Sequence, residues 1–165
     1  MKVLIAVDGS ACSQAAVRDV AMRSWPANSE FEVFTVIATR MPFVPDPILV
    51  LAAAYQTLLN ESRAHAPRVV EAAAETLRAA QPSLQVSTKV VEGKPNTLII
   101  DEAEAWGADL IVIGAHGYGA TKRMLLGSVS QAVALHAPCS VEIARTPQCL
   151  SEEHGDGGIE AAHAR

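Results

Sequence analysis

Lys2-Val3-Leu4-Ile5-Ala6-Val7-Asp8-Gly9-Ser10 is a branched-apolar run that stops abruptly at an acid, a glycine and a serine. Apolar residues in unbroken succession, without alternation, mark a strand covered on both faces, as in a parallel sheet. Ser10 has the chemistry of a helix N-cap. Beyond it Cys12, Ala15, Ala16 and Val20 recur at helical spacing, and the pattern runs to about Trp25, where Pro26 ends it. The opening segment therefore predicts strand, turn and helix.

The same succession repeats along the chain. Residues 31–37 read as a second strand, and the proline-rich stretch 41–47 as a loop. Residues 48–80 have helical composition, with Pro67 expected to kink the helix or divide it in two. Residues 84–91 alternate in part, as a third strand near a sheet edge does. Gly93-Lys94-Pro95 opens a helix that carries Leu98, Ile99, Ala103 and Trp106 on one face and stops at Gly107. Residues 109–113 are a fourth, wholly apolar strand. A glycine-rich loop, a helix from about Ser128 to His136 and a fifth strand over 139–144 complete the series. Strands alternating with helices give an open, mainly parallel sheet with helices on both faces, a doubly wound α/β domain over 1–145. Residues 146–165 lack periodicity and read as a disordered tail.

Bulk properties narrow the function. A length of 165 residues fits one domain. Half the residues are apolar but only 4% aromatic, so the core is built from Val, Ile, Leu and Ala. A formal charge of -5 argues against nucleic acid as a partner, since that affinity comes from clustered Lys and Arg. No apolar run is long enough to span a bilayer, and the N-terminus passes directly into the first strand, so a cytoplasmic location is expected. Cys12, Cys139 and Cys149 form no C-x-x-C pair and support neither a disulfide framework nor a zinc site. Cys12 and Cys139 read as buried thiols, Cys149 as a tail residue.

Ligands of open α/β sheets bind beyond the carboxyl ends of strands, where the strand order reverses. The first strand ends at Asp8. The fourth leads into Gly114-Ala-His-Gly-Tyr-Gly-Ala-Thr-Lys-Arg-Met-Leu-Leu-Gly-Ser-Val-Ser130. Glycines at 114, 117 and 127 permit positive φ and let backbone amides approach a phosphate, while Gly127-Ser128-Val129-Ser130 opens a helix whose amides and dipole favour an anion. The hydroxyls of Ser128 and Ser130 add donors, and Lys122 and Arg123 are nearby cations. Three rival motifs fail on the letters. Gly114-x4-Gly119 is followed by Ala120-Thr121, not Lys-Ser/Thr; Gly117-x-Gly119 meets Lys122 where the dinucleotide fingerprint needs glycine; and G-x-S-x-G is absent.

The segment matches G-x2-G-x9-G-[S/T] at Gly114, Gly117, Gly127 and Ser128. With it, the chain resembles the universal stress protein family in its ATP-binding branch. The resemblance extends over roughly 2–145, through Val7-Asp8-Gly9-Ser10, Gly93-Lys94-Pro95, residues 108–114 and Ala137-Pro138-Cys139. It implies a Rossmann-like sheet of order 3-2-1-4-5, a homodimer through the last strand (Cys139 to Ala144) and ATP, ADP or AMP in the crevice between strands one and four. Carried over position by position, Ala6, Val7, Asp8 and Val36 would contact adenine and ribose. Gly114, His116, Gly117, Gly127, Ser128, Val129 and Ser130 would hold ribose and phosphates. Asp8 would lie near a phosphate-bound Mg²⁺. Two features depart from the family: Glu142 puts a charge in a strand that is usually apolar, to pair across the dimer or weaken it, and the 41–47 loop and Pro67 lie near the expected mouth of the crevice.

Simpler roles exist for these residues. Asp8 is a common turn former at a strand end. The glycines could serve backbone turns, and Ser128 a helix cap. His116 has no Ser, Cys or carboxylate beside it in sequence and reads as a loop residue at the nucleotide, not a catalytic base. His65, His136, His154 and His163 lack ligand spacing. The expected function is an ATP-binding regulatory or stress-response protein with slow or no hydrolysis. The alternatives are an ATPase or adenylyl-transfer enzyme on the same fold, or a dimeric interaction module with an empty crevice.

Overall fold

A computed structural model describes residues 1–39, 49–117 and 126–145. In chain order the elements are β1 (Lys2–Ala6), α1 (Ala11–Met22), β2 (Glu30–Ala38), α2 (Leu49–Ala80), β3 (Gln85–Gly93), α3 (Pro95–Trp106), β4 (Leu110–Gly114), α4 (Ser128–His136) and β5 (Ser140–Ala144). The expectations for 41–47, Lys122, Arg123 and 146–165 fall outside the described residues.

All pairings are parallel, in the order β3-β2-β1-β4-β5. The chain first steps outward in one direction, β1 to β2 to β3, and then returns to place β4 on the other side of β1. Right-handed crossovers that step in opposite directions put their helices on opposite faces. α1 and α2 accordingly cover one face, and α3 and α4 the other. Along β1, Val3, Ile5 and Val7 pack with Val17, Val20, Val70 and Leu77, whereas Leu4 and Ala6 pack with Ile99, Ala103 and Val133. This two-sided burial is why the strand shows no polar alternation. β3, at an edge, is exposed along much of its length.

Several boundaries differ from the sequence reading. α1 ends at Met22, not Trp25. The Trp25 indole N–H folds back to donate to the Val20 carbonyl at 2.9 Å, and its ring stands edge-on to Phe31, so the tryptophan closes the helix end instead of extending it. Pro67 does not divide α2, which is one helix of 32 residues. The proline is exposed, and the helix is held on both sides of it: Leu59 and Ala66 pack with Ile37, and Val70, Ala74 and Leu77 pack on the sheet. Arg63 adds a bidentate bond to Glu92 on β3.

Glu142 is not a stray charge in β5. Arg23, just past α1, donates two hydrogen bonds of 2.5 Å to its carboxylate. The same bond holds the Arg23 guanidinium above its ordinary pKa. A second acid, Glu32 on β2, is only 8% exposed and its Oε1 has no hydrogen-bond partner among the described residues. Burial, and then the Glu102 carboxyl of α3, push its pKa up, opposed by Lys89, which also bridges to Glu102.

Candidate functional site: the crevice between β1 and β4

β1 and β4 are neighbours whose chains depart to opposite sides, so their carboxyl ends are left uncovered. A cavity of about 410 Å³ opens there. All of Ala6, Val7, Asp8, Val36, Gly114, His116, Gly117, Gly127, Ser128, Val129 and Ser130 line it, so the structure brings together every site residue expected from sequence. Six others were missed: Ser13, Phe34, Ala38, Pro95, Ile99 and Ile113. All but Ser13 are apolar, and they add one apolar wall. Phe34, Val36 and Ala38 alternate along β2 and share a face, and Pro95 and Ile99 lie one turn apart on α3. Those two periodicities were the available signal.

The polar side is built from two helix starts. At α1, Asp8 Oδ1 accepts from the Ser10 amide at 2.9 Å and from the Ser10 hydroxyl at 2.6 Å. Ser10 Oγ in turn accepts from the Ser13 amide at 3.3 Å, and Ser13 Oγ accepts from the Gly9 amide at 3.1 Å and donates to the Ser10 carbonyl at 3.0 Å. Gly9, with φ of 88°, makes the sharp bend this needs. The amides of Gly9, Ser10 and Ser13 are thereby bonded within the turn.

At α4 the arrangement is the reverse. The Gly127 N-cap supplies no side-chain bond. Its amide donates to the Ala115 carbonyl at 2.8 Å and its carbonyl accepts from Gln131 at 2.9 Å, which fixes where the helix begins. The amides of Ser128, Val129 and Ser130 precede the first intrahelical donor and have no partner among the described residues. The expectation for the Ser130 hydroxyl is corrected, because it donates to the Gly114 carbonyl at 2.7 Å and ties α4 to β4.

The glycines also act differently than expected. None of Gly114, Gly117 and Gly127 has a positive φ. A Cβ on Gly114 would lie 2.7 Å from the Cys12 carbonyl carbon and 2.8 Å from the Ser13 amide, so this glycine lets α1 approach β4. A Cβ on Gly117 would collide with Asp8 Oδ2, which the Oδ1 bonds hold in place. Gly127 meets only ordinary contact, 3.4 Å to the Ala115 carbonyl. His116 is buried, and its carbonyl oxygen lies 3.4 Å from Ser10 Oγ, whose proton goes to Asp8, so the chain leaving β4 passes against the start of α1. Among the described residues no cluster of three or more His, Cys, Asp or Glu could hold a metal ion.

The model of the universal stress protein family matches residues 1–145. The chain belongs to the universal stress protein family. The universal stress protein YxiE of Bacillus subtilis is 29% identical over 153 residues, covering 87% of this chain and 98% of its own. A universal stress protein of Methanocaldococcus jannaschii is 31% identical over 147 residues, covering 89% and 83%. Among solved structures, the universal stress protein UspA from Lactobacillus plantarum superposes with a TM-score of 0.71 at 26% identity, over 88% of this chain and 97% of its own. A universal stress protein crystallised in complex with cAMP superposes at 0.62 with 25% identity, over 88% and 97%. The fold of this universal stress protein is thus that of the solved members, with their order of strands.

Proposed function

We propose that the crevice binds an adenine nucleotide, foremost ATP, and that the protein is a nucleotide-responsive regulatory member of its family with slow or no hydrolysis. The observation that carries this reading is the start of α4: three amides without a partner among the described residues, and the positive end of a helix dipole, lie at a cavity whose opposite wall is apolar. The amides suit phosphate oxygens, and the wall formed by Phe34, Val36 and Ile99 suits the flat face of a base. The related structure with a bound cyclic adenine nucleotide supports the ligand class.

In this reading Ser128, Val129 and Ser130 donate backbone amides to phosphates, Gly117 and His116 line the ribose and phosphate path, and Ala6, Val7 and Val36 flank the base. A Mg²⁺ would arrive with the phosphates. Asp8 Oδ2 is the carboxylate oxygen turned toward Gly117 and would be its protein ligand, with phosphate and water completing the shell. Among the described residues, none of the hydrogen bonds given above joins a nucleophile that lines the cavity to a base, which favours holding over cleaving. We further propose that β5 pairs edge to edge in a homodimer, with Glu142 already neutralised by Arg23 within the chain.

Titration calorimetry with ATP tests the ligand. Submillimolar binding that is lost in Gly117→Val, with no phosphate release above buffer, is the expected result. A folded protein that gives no binding heat overturns the reading, and phosphate release that disappears in Gly117→Val replaces it with an ATPase. Sedimentation velocity tests the dimer.

A further inference from the structure

On the other face of the sheet, a second cavity of about 750 Å³ lies between α1 and α2. Its floor is small and apolar, with Val7, Val17, Val69 and Ala73. Its rim carries Arg18, Arg68, His65 and Gln14, and no carboxylate lines it among the described residues. In a chain of net charge -5 that is an unusual concentration of cations. Arg23, Arg63 and Arg78 each hold a glutamate. Arg18 and Arg68 make no ion pair among the described residues, and Glu71, one turn beyond Arg68, is taken by Arg78 instead. The two unpaired arginines therefore face the same groove.

We propose that this groove is the docking site of the chain's own acidic segment, residues 151–160. That segment carries Glu152, Glu153, Asp156 and Glu160, with no Lys or Arg between 146 and 164, and a single branched apolar residue, Ile159, to meet the valine floor. The chain leaves β5 at the correct end. All strands are parallel, Ala144 lies in the same core layer as Val17, and Ala144 accepts from the Ala115 amide beside the crevice. β5 stands two strand spacings from β1, about 10 Å, with the start of α1 to cross. Residues 146–150 span about 17 Å when extended, so the first glutamates reach the rim where the linker ends. Carboxylates on guanidinium forks supply direction, and the flexible glycines at 155, 157 and 158 let the backbone follow the groove.

Backbone ¹⁵N relaxation on the full chain tests the proposal. Residues 151–160 are expected to have order parameters above about 0.6, the upper bound for flexible backbone. In Arg18→Glu/Arg68→Glu they should fall into the flexible range, and adding Glu152→Arg/Glu153→Arg should restore them. Both arginines are exposed, so the reversal should fold; if it does not, raising salt to 1 M on the unaltered chain should release the segment, because screening then acts within about 3 Å. A segment that is flexible in the unaltered chain, or ordered and indifferent to both charge reversal and salt, overturns the proposal. A flexible segment together with groove resonances that shift on adding an acidic peptide also overturns it, and gives the groove to another chain.

Discussion

α1 and α4 both begin at the carboxyl end of the sheet, and their first turns face one another across the crevice, yet their chemistry is opposite. α1 begins closed: Asp8, Ser10 and Ser13 bond one another and the amides of Gly9, Ser10 and Ser13. α4 begins open, with a glycine cap and first-turn amides that have no partner among the described residues. A closed start stabilises the fold by roughly 1 kcal/mol and offers an anion little. An open start gives up that stability and keeps its dipole and donors for a ligand. In the proposed reading, site and scaffold are divided between these two helix ends, with His116 of the chain leaving β4 lying against Ser10.

The largest effect should come from closing α4. Gly127 has φ of -67°, which any residue adopts, and its added Cβ meets ordinary contact. Gly127→Asp should cap the helix as Asp8 and Ser10 close α1. Calorimetry should then show nucleotide affinity falling by about 100-fold, the loss of one or two charge-assisted hydrogen bonds, while melting temperature holds or rises. If affinity persists, α4 is not the phosphate holder. Opening α1 is the converse. Ser10→Ala should lower unfolding free energy by about 1–2 kcal/mol in a denaturant titration and change nucleotide affinity far less.

A smaller effect lies away from both helix starts, under α3. The folded chain raises the Glu32 pKa above its ordinary 4.5, so the folded state binds that proton more tightly than the unfolded one. Stability is present below that ordinary value and is lost as pH rises through the folded one. Glu32→Gln should remove this decline and add on the order of 1 kcal/mol at neutral pH, seen as flatter melting temperature against pH. A decline that survives the substitution has another origin. The smallest change is expected from Asp8→Asn, which keeps an acceptor for Ser10. Folding should be unaltered, with ATP binding several-fold tighter without Mg²⁺ and less responsive to it, since one carboxylate charge near phosphate is gone.

How much of this was legible depended on the kind of signal. Nearly continuous apolar runs at Lys2–Ala6 and Leu110–Gly114 announce two-sided burial, and Gly107 with φ of 70° ends α3 as its position suggests. Asp8 and the glycines and serines of the cavity's expected lining followed from strand ends and a helix start, because both are local, whereas Ala6, Val7, Val36, His116 and Val129 came only with the family resemblance. What stayed hidden was set by contacts distant in sequence. Trp25 turning back on Val20 shortens α1, and packing on both sides of Pro67 keeps α2 whole. The Gly114 requirement arises from α1 passing 2.7 Å from its would-be Cβ, a residue pair about one hundred positions apart, and the Ser130 hydroxyl is claimed by a strand that precedes it.

Val7 and Ser13 line both the crevice and the groove between α1 and α2. A single short turn is therefore the partition between two chambers. Any displacement that filling one chamber imposes on that turn is also a change of shape in the other, and linkage makes the influence mutual: whatever factor the first occupant applies to the affinity of the second, the second applies to the first.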